Sequence, residues 1–171
     1  MNCTVLGFIV RAKLGLLSPE DGDEKLIDGL LAVMETVEAD YTQTFRDLSE
    51  LSVEDLGSAS IPEAAWGLAQ CSKDKALASW LAEYVARLGR DSEDGDEARM
   101  QRMQEVNPRY ILRNWIAQRA IGMAEEDDFS EVRFLLSVLR EPYKTNKAAE
   151  ERGYAGRPPA WSKRLTVSCS S

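Results

Sequence analysis

Histidine is absent from the 171 residues. That gap excludes Ser-His-Asp and Cys-His catalysis, His-bearing zinc sites and haem ligation through histidine. Cysteine is scarce. Cys3, Cys71 and Cys169 are odd in number, far apart and never in C-x-x-C spacing, so neither a metal knuckle nor a thioredoxin-like pair is present. A secreted disulfide scaffold is not expected, and an intracellular or organellar setting fits. Long apolar runs are also lacking. The longest clean one is V-L-G-F-I-V, Val5–Val10, far short of the about 20 residues of a membrane span. Met1–Thr4 offers no basic residue ahead of it, so a buried helix is expected there rather than a signal peptide. An Arg-rich transit peptide is not visible either. Positive charge is in deficit, with 21 Lys and Arg against 29 Asp and Glu and a net charge of −8. Nucleic acid is therefore not an expected partner. Finally, no strand-like alternation and no fixed-period repeat occurs.

What is there is helical. The apolar share is 44%, enough for a core, and the chain includes Trp66, Trp80, Trp115 and Trp161. The length fits one domain, or a piece of a larger one. Ser18-Pro19 reads as an N-cap followed by a first-turn proline. Leu26, Ile27, Leu30, Leu31, Met34 and Val37 then form one stripe at helical spacing. Helices are predicted over Tyr41–Leu48 and near Pro62–Gln70. Another carries Leu77, Trp80, Leu81, Tyr84, Val85 and Leu88 on one face and stops at Gly89. A helix over Asp96–Val106 leads to Asn107-Pro108, read as cap and first residue of the next helix. That helix is expected to turn Leu112, Trp115, Ile116, Ala120 and Met123 inward. Asp128 and Glu131 read as a capping box ahead of Val132, Leu135, Leu136 and Leu139. From Tyr143 on, Gly153, Gly156 and Pro158-Pro159 predict an irregular tail.

Several short motifs invite chemistry and do not sustain it. The acidic run Asp91–Glu97 places its glycine too early for a calcium loop of the EF-hand kind. Asp128-Phe129-Ser130 resembles a magnesium-binding D-F-G, but serine replaces the glycine and no H-R-D or Gly-rich loop precedes it. Arg109, Arg113, Arg119 and Arg133 are expected to pair with carboxylates. Cys71 reads as a small buried hydrophobe. In the tail, Arg157-Pro158-Pro159-Ala160-Trp161 is stiff, and Trp161 is expected to dock on a surface groove. Lys163 and Arg164 would favour a thiolate at Cys169, and the nearby terminal carboxylate would oppose it.

Five stretches resemble the selenoprotein O family: K-L-G-L (Lys13–Leu16), A-D-Y-T-Q-T-F-R-D-L-S (Ala39–Ser49), V-N-P-R-Y-I-L-R-N-W-I-A-Q-R-A-I (Val106–Ile121), D-F-S-E-V-R-F-L-L-S-V-L-R-E-P-Y (Asp128–Tyr143) and R-P-P-A-W-S-K-R-L-T-V-S-C-S-S (Arg157–Ser171). The resemblance implies a kinase-like protein adenylyltransferase that uses ATP and magnesium to move AMP onto Ser, Thr or Tyr hydroxyls of proteins. It covers only the C-terminal part of that family. The Gly-rich loop, phosphate-binding Lys and Arg, catalytic Asp and metal-binding Asn and Asp of the family lie upstream, without counterparts here. No catalytic, cofactor-binding or metal residue is therefore assigned.

The resemblance implies one site residue, Cys169, at the position of the family's redox cysteine or selenocysteine. Thr166 stands where some relatives have a second cysteine, so a local bridge is impossible. In relatives the tail thiol can pair with a cysteine of the kinase-like core. The expected architecture is all-α: an unmatched segment 1–10, distal helices of a kinase-like C-lobe over 11–142, and the irregular tail 143–171. The expected partners are an upstream kinase-like core and, in the whole enzyme, protein substrates. The expected compartment is mitochondrial in a eukaryote and cytoplasmic in a bacterium. A helical protein-interaction module is the alternative, and a free-standing thiol oxidoreductase a weaker third.

Overall fold

The computed structural model describes residues 5–58, 60–91 and 95–165, with side chains from Gly7 onward. Cys3 and Cys169 lie outside the described residues. Every regular element among them is helical, and none is a strand. The chain divides into two units, Met1–Pro108 and Arg109–Ser171.

The first unit holds α1 (Val5–Lys13), α2 (Asp23–Thr36), α3 (Tyr41–Glu50), α4 (Val53–Gly57), α5 (Trp66–Cys71), α6 (Ala76–Leu88) and α7 (Gly95–Val106). Helix α2 packs on α6, α1 on α2 and α7, and α3 on both α5 and α7. The predicted stripes are the core: Leu26, Ile27, Leu30 and Met34 meet Leu77, Trp80, Leu81, Tyr84 and Leu88. Full burial of such a side chain is worth about 1.5–3 kcal/mol. The two large aromatics also satisfy their polar ends. Trp80 Nε1 donates to the Leu26 carbonyl at 2.7 Å, and Tyr84 Oη to the Leu14 carbonyl at 2.8 Å.

Two predicted helix starts fall elsewhere. Ser18 does not cap α2. Its hydroxyl donates to Asp91, and the helix begins at Asp23 behind Gly22, whose φ of 103° suits glycine. Asp23 is held there because its carboxylate is buried against Arg87 at 2.8 Å. Asn107 does not cap a helix at Pro108 either. Its amide donates to the Lys13 carbonyl and its oxygen accepts from Lys13 Nζ. With that side chain occupied, the following residues form no helix until Asn114.

The second unit holds α8 (Asn114–Ala124), α9 (Ser130–Leu139) and the short α10 (Lys147–Glu151). Its core is Tyr110, Trp115, Ile116, Ala120, Leu135, Val138, Ala149 and Tyr154. Trp115, Ile116, Ala120 and Leu135 point inward as predicted, whereas Leu112, Val132 and Leu136 are exposed. The capping box at Asp128 does not form. Phe129 takes the cap position without a side-chain bond, and Asp128 accepts instead from the Ser130 amide at 2.8 Å. Glu131 is buried against Arg152 at 3.2 Å.

The tail is more ordered than its composition predicts. Asn146 caps α10 by accepting from the Ala149 amide, and Ala160–Arg164 forms a 3-10 turn. The tail's aromatic anchor is Tyr154, set edge-on to Trp115 at 5.7 Å, while Trp161 stays about half exposed.

Candidate functional site

The most chemically dense part of the first unit is α3, rich in polar residues and yet largely buried. Gln43, Thr44, Phe45, Arg46, Asp47, Leu48 and Ser49 are all inaccessible. Asp40 starts the helix by accepting from the Gln43 amide at 2.9 Å. Gln43 Nε2 donates to Asp47 Oδ1 at 2.6 Å. Asp47 Oδ2 accepts from the amides of Gly67 and Leu68 at 2.8 and 2.9 Å, so a side chain of α3 ties down the first turn of α5. Burial pushes the Asp47 carboxyl up to about 6, against the pull of its Leu68, Gln43 and Gly67 hydrogen bonds.

Buried arginines lock the rest of the unit. Arg46 donates to the Asn107 carbonyl at 3.1 Å and to Glu50 at 2.7 Å. Arg99 reaches the Leu51 carbonyl at 2.6 Å, the Leu48 carbonyl at 3.3 Å and Asp96 at 2.6 Å. Arg87 binds Asp23, Asp91 and the Ser18 carbonyl at 2.8, 2.8 and 2.6 Å. Asp91 loses solvent, which works against its charge, yet donors from Leu17, Arg87 and Ser18 hold its carboxyl below the usual carboxylate range.

These contacts place most of the motifs flagged in the sequence. In the acidic run, Asp91 serves Arg87, and Asp96 accepts from the Val53 amide at 2.8 Å. Residues 92–94 lie outside the described residues. Asp128 makes a local turn with Ser130, whose hydrogen bonds lower its pKa. Arg109 grips Glu150 through two nitrogens, at 2.6 and 2.9 Å, and Tyr110 donates to the same carboxylate. Arg119 lies 3.9 Å from Glu131. Cys71 is fully buried, with Thr44 Oγ1 3.8 Å from its sulfur, and burial pushes its thiol up. Neither its access nor its charge suits thiol exchange.

Among the described residues no group of three or more Asp, Glu or Cys comes together as a ligand set for a metal. No helix among them is long and apolar enough to cross a membrane. A cavity of about 220 Å³ in the first unit is lined by Val53, Leu88, Asp91, Asp96, Arg99 and Arg102 among others. Its charged residues bind within the protein: Asp91 with Arg87, Asp96 with Arg99, Arg102 with the Gly15 carbonyl. The charged side chains of this cavity are thus engaged within the protein.

Sequence reasoning missed the polar interior of α3. Its ends and its apolar stripe Tyr41, Phe45 and Leu48 are legible, but the polar positions flanking that stripe read as solvated. The partners that bury it, at Gly67, Leu68, Gln104 and Asn107, are remote in sequence.

Comparison with known proteins assigns the chain. The family model of protein adenylyltransferase SelO matches residues 6–140. A protein nucleotidyltransferase YdiU of Klebsiella pneumoniae is 46% identical over 168 residues, covering 98% of this chain and 32% of that protein. YdiU of Pseudomonas fluorescens is 41% identical, over 95% of this chain and 32% of its own length. YdiU of Vibrio vulnificus is 38% identical, over 98% and 33%. The chain spans about a third of the length of these relatives. On the family match and these identities, the chain belongs to the family of protein adenylyltransferase SelO.

Proposed function

We propose that this chain is the C-terminal part of a SelO-type protein adenylyltransferase and acts as scaffold and redox element rather than as catalyst. In the complete enzyme, AMP passes from ATP, held with magnesium, to Ser, Thr or Tyr hydroxyls of protein substrates. The helices of this chain are the distal helices of the kinase-like C-lobe. The observation that carries the reading is the match to 98% of this chain but only 32% of the relative's length. Such transfer depends on holding ATP, metal and nucleophile together, and the buried charged side chains Arg46, Asp47 and Arg99 of α3 and α7 are committed to carbonyls and amides. In a bacterial host the compartment is the cytoplasm, and in a eukaryotic one the mitochondrion.

Cys169 is the redox latch. In a two-electron oxidation its sulfur joins a second thiol, and both protons and electrons pass to a disulfide or peroxide oxidant. Buried Cys71 does not suit the second role; the family resemblance points to a thiol of the kinase-like core as the partner. Calorimetry of the purified chain with ATP and magnesium tests the first claim. No heat of binding is expected, and stoichiometric binding would refute it. For the second, Cys169→Ser removes redox-dependent gel mobility of the chain bound to its core. Persistence of that mobility change in the variant rules the latch out.

A further inference from the structure

We propose that the outer face of α9, formed by Phe129, Val132 and Leu136, docks on the part of a SelO-family polypeptide that this chain does not span. The inference rests on the preceding reading of the chain as one part of a larger enzyme, and adds the surface by which the parts meet.

Helix α9 carries two apolar stripes. The inner one, Leu135 and Val138 with Glu131, is buried in the second unit. The outer one is spaced three and four residues apart, so its members share a face. Phe129, Val132 and Leu136 are 48%, 43% and 53% exposed. Helical patterning assigns Val132 and Leu136 to a core, and the unit supplies none for them. In the first unit, by contrast, the stripes of α2 and α6 are buried almost throughout. A contiguous exposed apolar face of this kind marks an interaction surface. Arg133 and Arg140 are exposed beside it, and Glu125, Glu126, Asp127 and Asp128 are exposed at its N-terminal end. The partner surface is therefore apolar, with carboxylates facing the arginines and cations facing the acidic end.

The occupant follows from length. Relatives match this chain along 95–98% of itself yet devote only about a third of their own length to it. Some two thirds of such a polypeptide has no equivalent here. The outer stripe lies inside the segment matched by the family, 6–140.

The test co-expresses the tagged 171-residue chain with the portion of the Klebsiella relative outside the match. That relative's own matching third is the positive control that shows the probe competent. The wild-type chain is expected to copurify, and Val132→Glu with Leu136→Glu to weaken capture at least tenfold. Phe8→Glu with Ile9→Glu, a comparably exposed pair on α1, should leave capture unchanged. Capture that survives the α9 pair, or is lost with the α1 pair instead, overturns this inference alone. Failure of the wild-type chain where the control succeeds overturns the reading of the chain as one part of the enzyme as well. The isolated chain gives an independent check by sedimentation and circular dichroism. If the α9 pair converts a dimer to a monomer, a second copy occupies the face. If it unfolds the chain, the face is already covered from within. Either result refutes the proposal.

Discussion

Gly67→Ala should be among the most damaging single-methyl changes in this chain. An ideal Cβ at Gly67 falls 2.7 Å from the Thr44 nitrogen, 2.8 Å from the Gln43 carbonyl carbon and 2.9 Å from Gln43 Cβ. Two of the three are backbone atoms of α3, so no side-chain rotation relieves the clash and α5 must move away. Overpacking of this kind costs about 1–3 kcal/mol. Retreat of α5 also stretches the two amide bonds to Asp47, now 2.8 and 2.9 Å, at about 1 kcal/mol together or more. The expected loss is about 2–4 kcal/mol, against a total of about 5–15 kcal/mol for a domain. Urea unfolding followed by far-ultraviolet circular dichroism measures it, with a midpoint lowered by about 1–2 M. Gly122→Ala in α8 is the opposite case. Nothing lies within 4 Å of its added methyl, and better helix propensity should raise stability by about 0.5–1 kcal/mol. A loss below about 1 kcal/mol for Gly67→Ala would mean that α3 and α5 are not in this close contact.

Two further changes probe buried charge. Asp47 has an ordinary pKa of 3.8, raised in the folded chain to about 6, so the folded state holds this proton more tightly. Its contribution is complete below about pH 4 and is withdrawn as pH climbs through 6, a swing of about 3 kcal/mol. Asp47→Asn should abolish that component, and equal pH slopes for variant and wild type between pH 4 and 7 would refute it. Arg87→Ala strands the buried Asp23 carboxylate and should cost about 3–5 kcal/mol, read by the same unfolding assay. Arg90→Ala, which breaks the exposed pair with Glu20 at 2.7 Å and an exposed bond to the Ala86 carbonyl at 3.4 Å, should cost at most about 1 kcal/mol.

How far the sequence foretells this molecule depends on whether the relevant partner is local. The stripes on α2 and α6 are properties of consecutive turns, and both are buried as their spacing predicts. Helix starts are less legible because the side chains that would cap are recruited elsewhere: Ser18 by Asp91 and Asn107 by Lys13. Val132 and Leu136 fail differently. Their spacing is right for a helix face, but nothing in the second unit covers them. For the candidate site, sequence spacing locates Cys71 and Arg109 in structural roles, the first buried and the second paired with Glu150. It does not foretell Asp47, whose role depends on amides twenty residues away.

The arginine contacts have a consequence for which positions can change. Arg46, Arg87, Arg99 and Arg102 each bind a main-chain carbonyl: those of Asn107, Ser18, Leu51 and Gly15 among them. A carbonyl oxygen is present whatever side chain the residue bears. The bond therefore constrains one end only. In a deep mutational scan the guanidinium positions should tolerate almost nothing, lysine included, because a fork-shaped donor cannot be replaced by a point charge. At Leu51, substitutions should be judged by packing alone, leaving the clamp intact. The interior is held by fixed clasps on an interchangeable thread, so variation can pass through one side of each contact without loosening it.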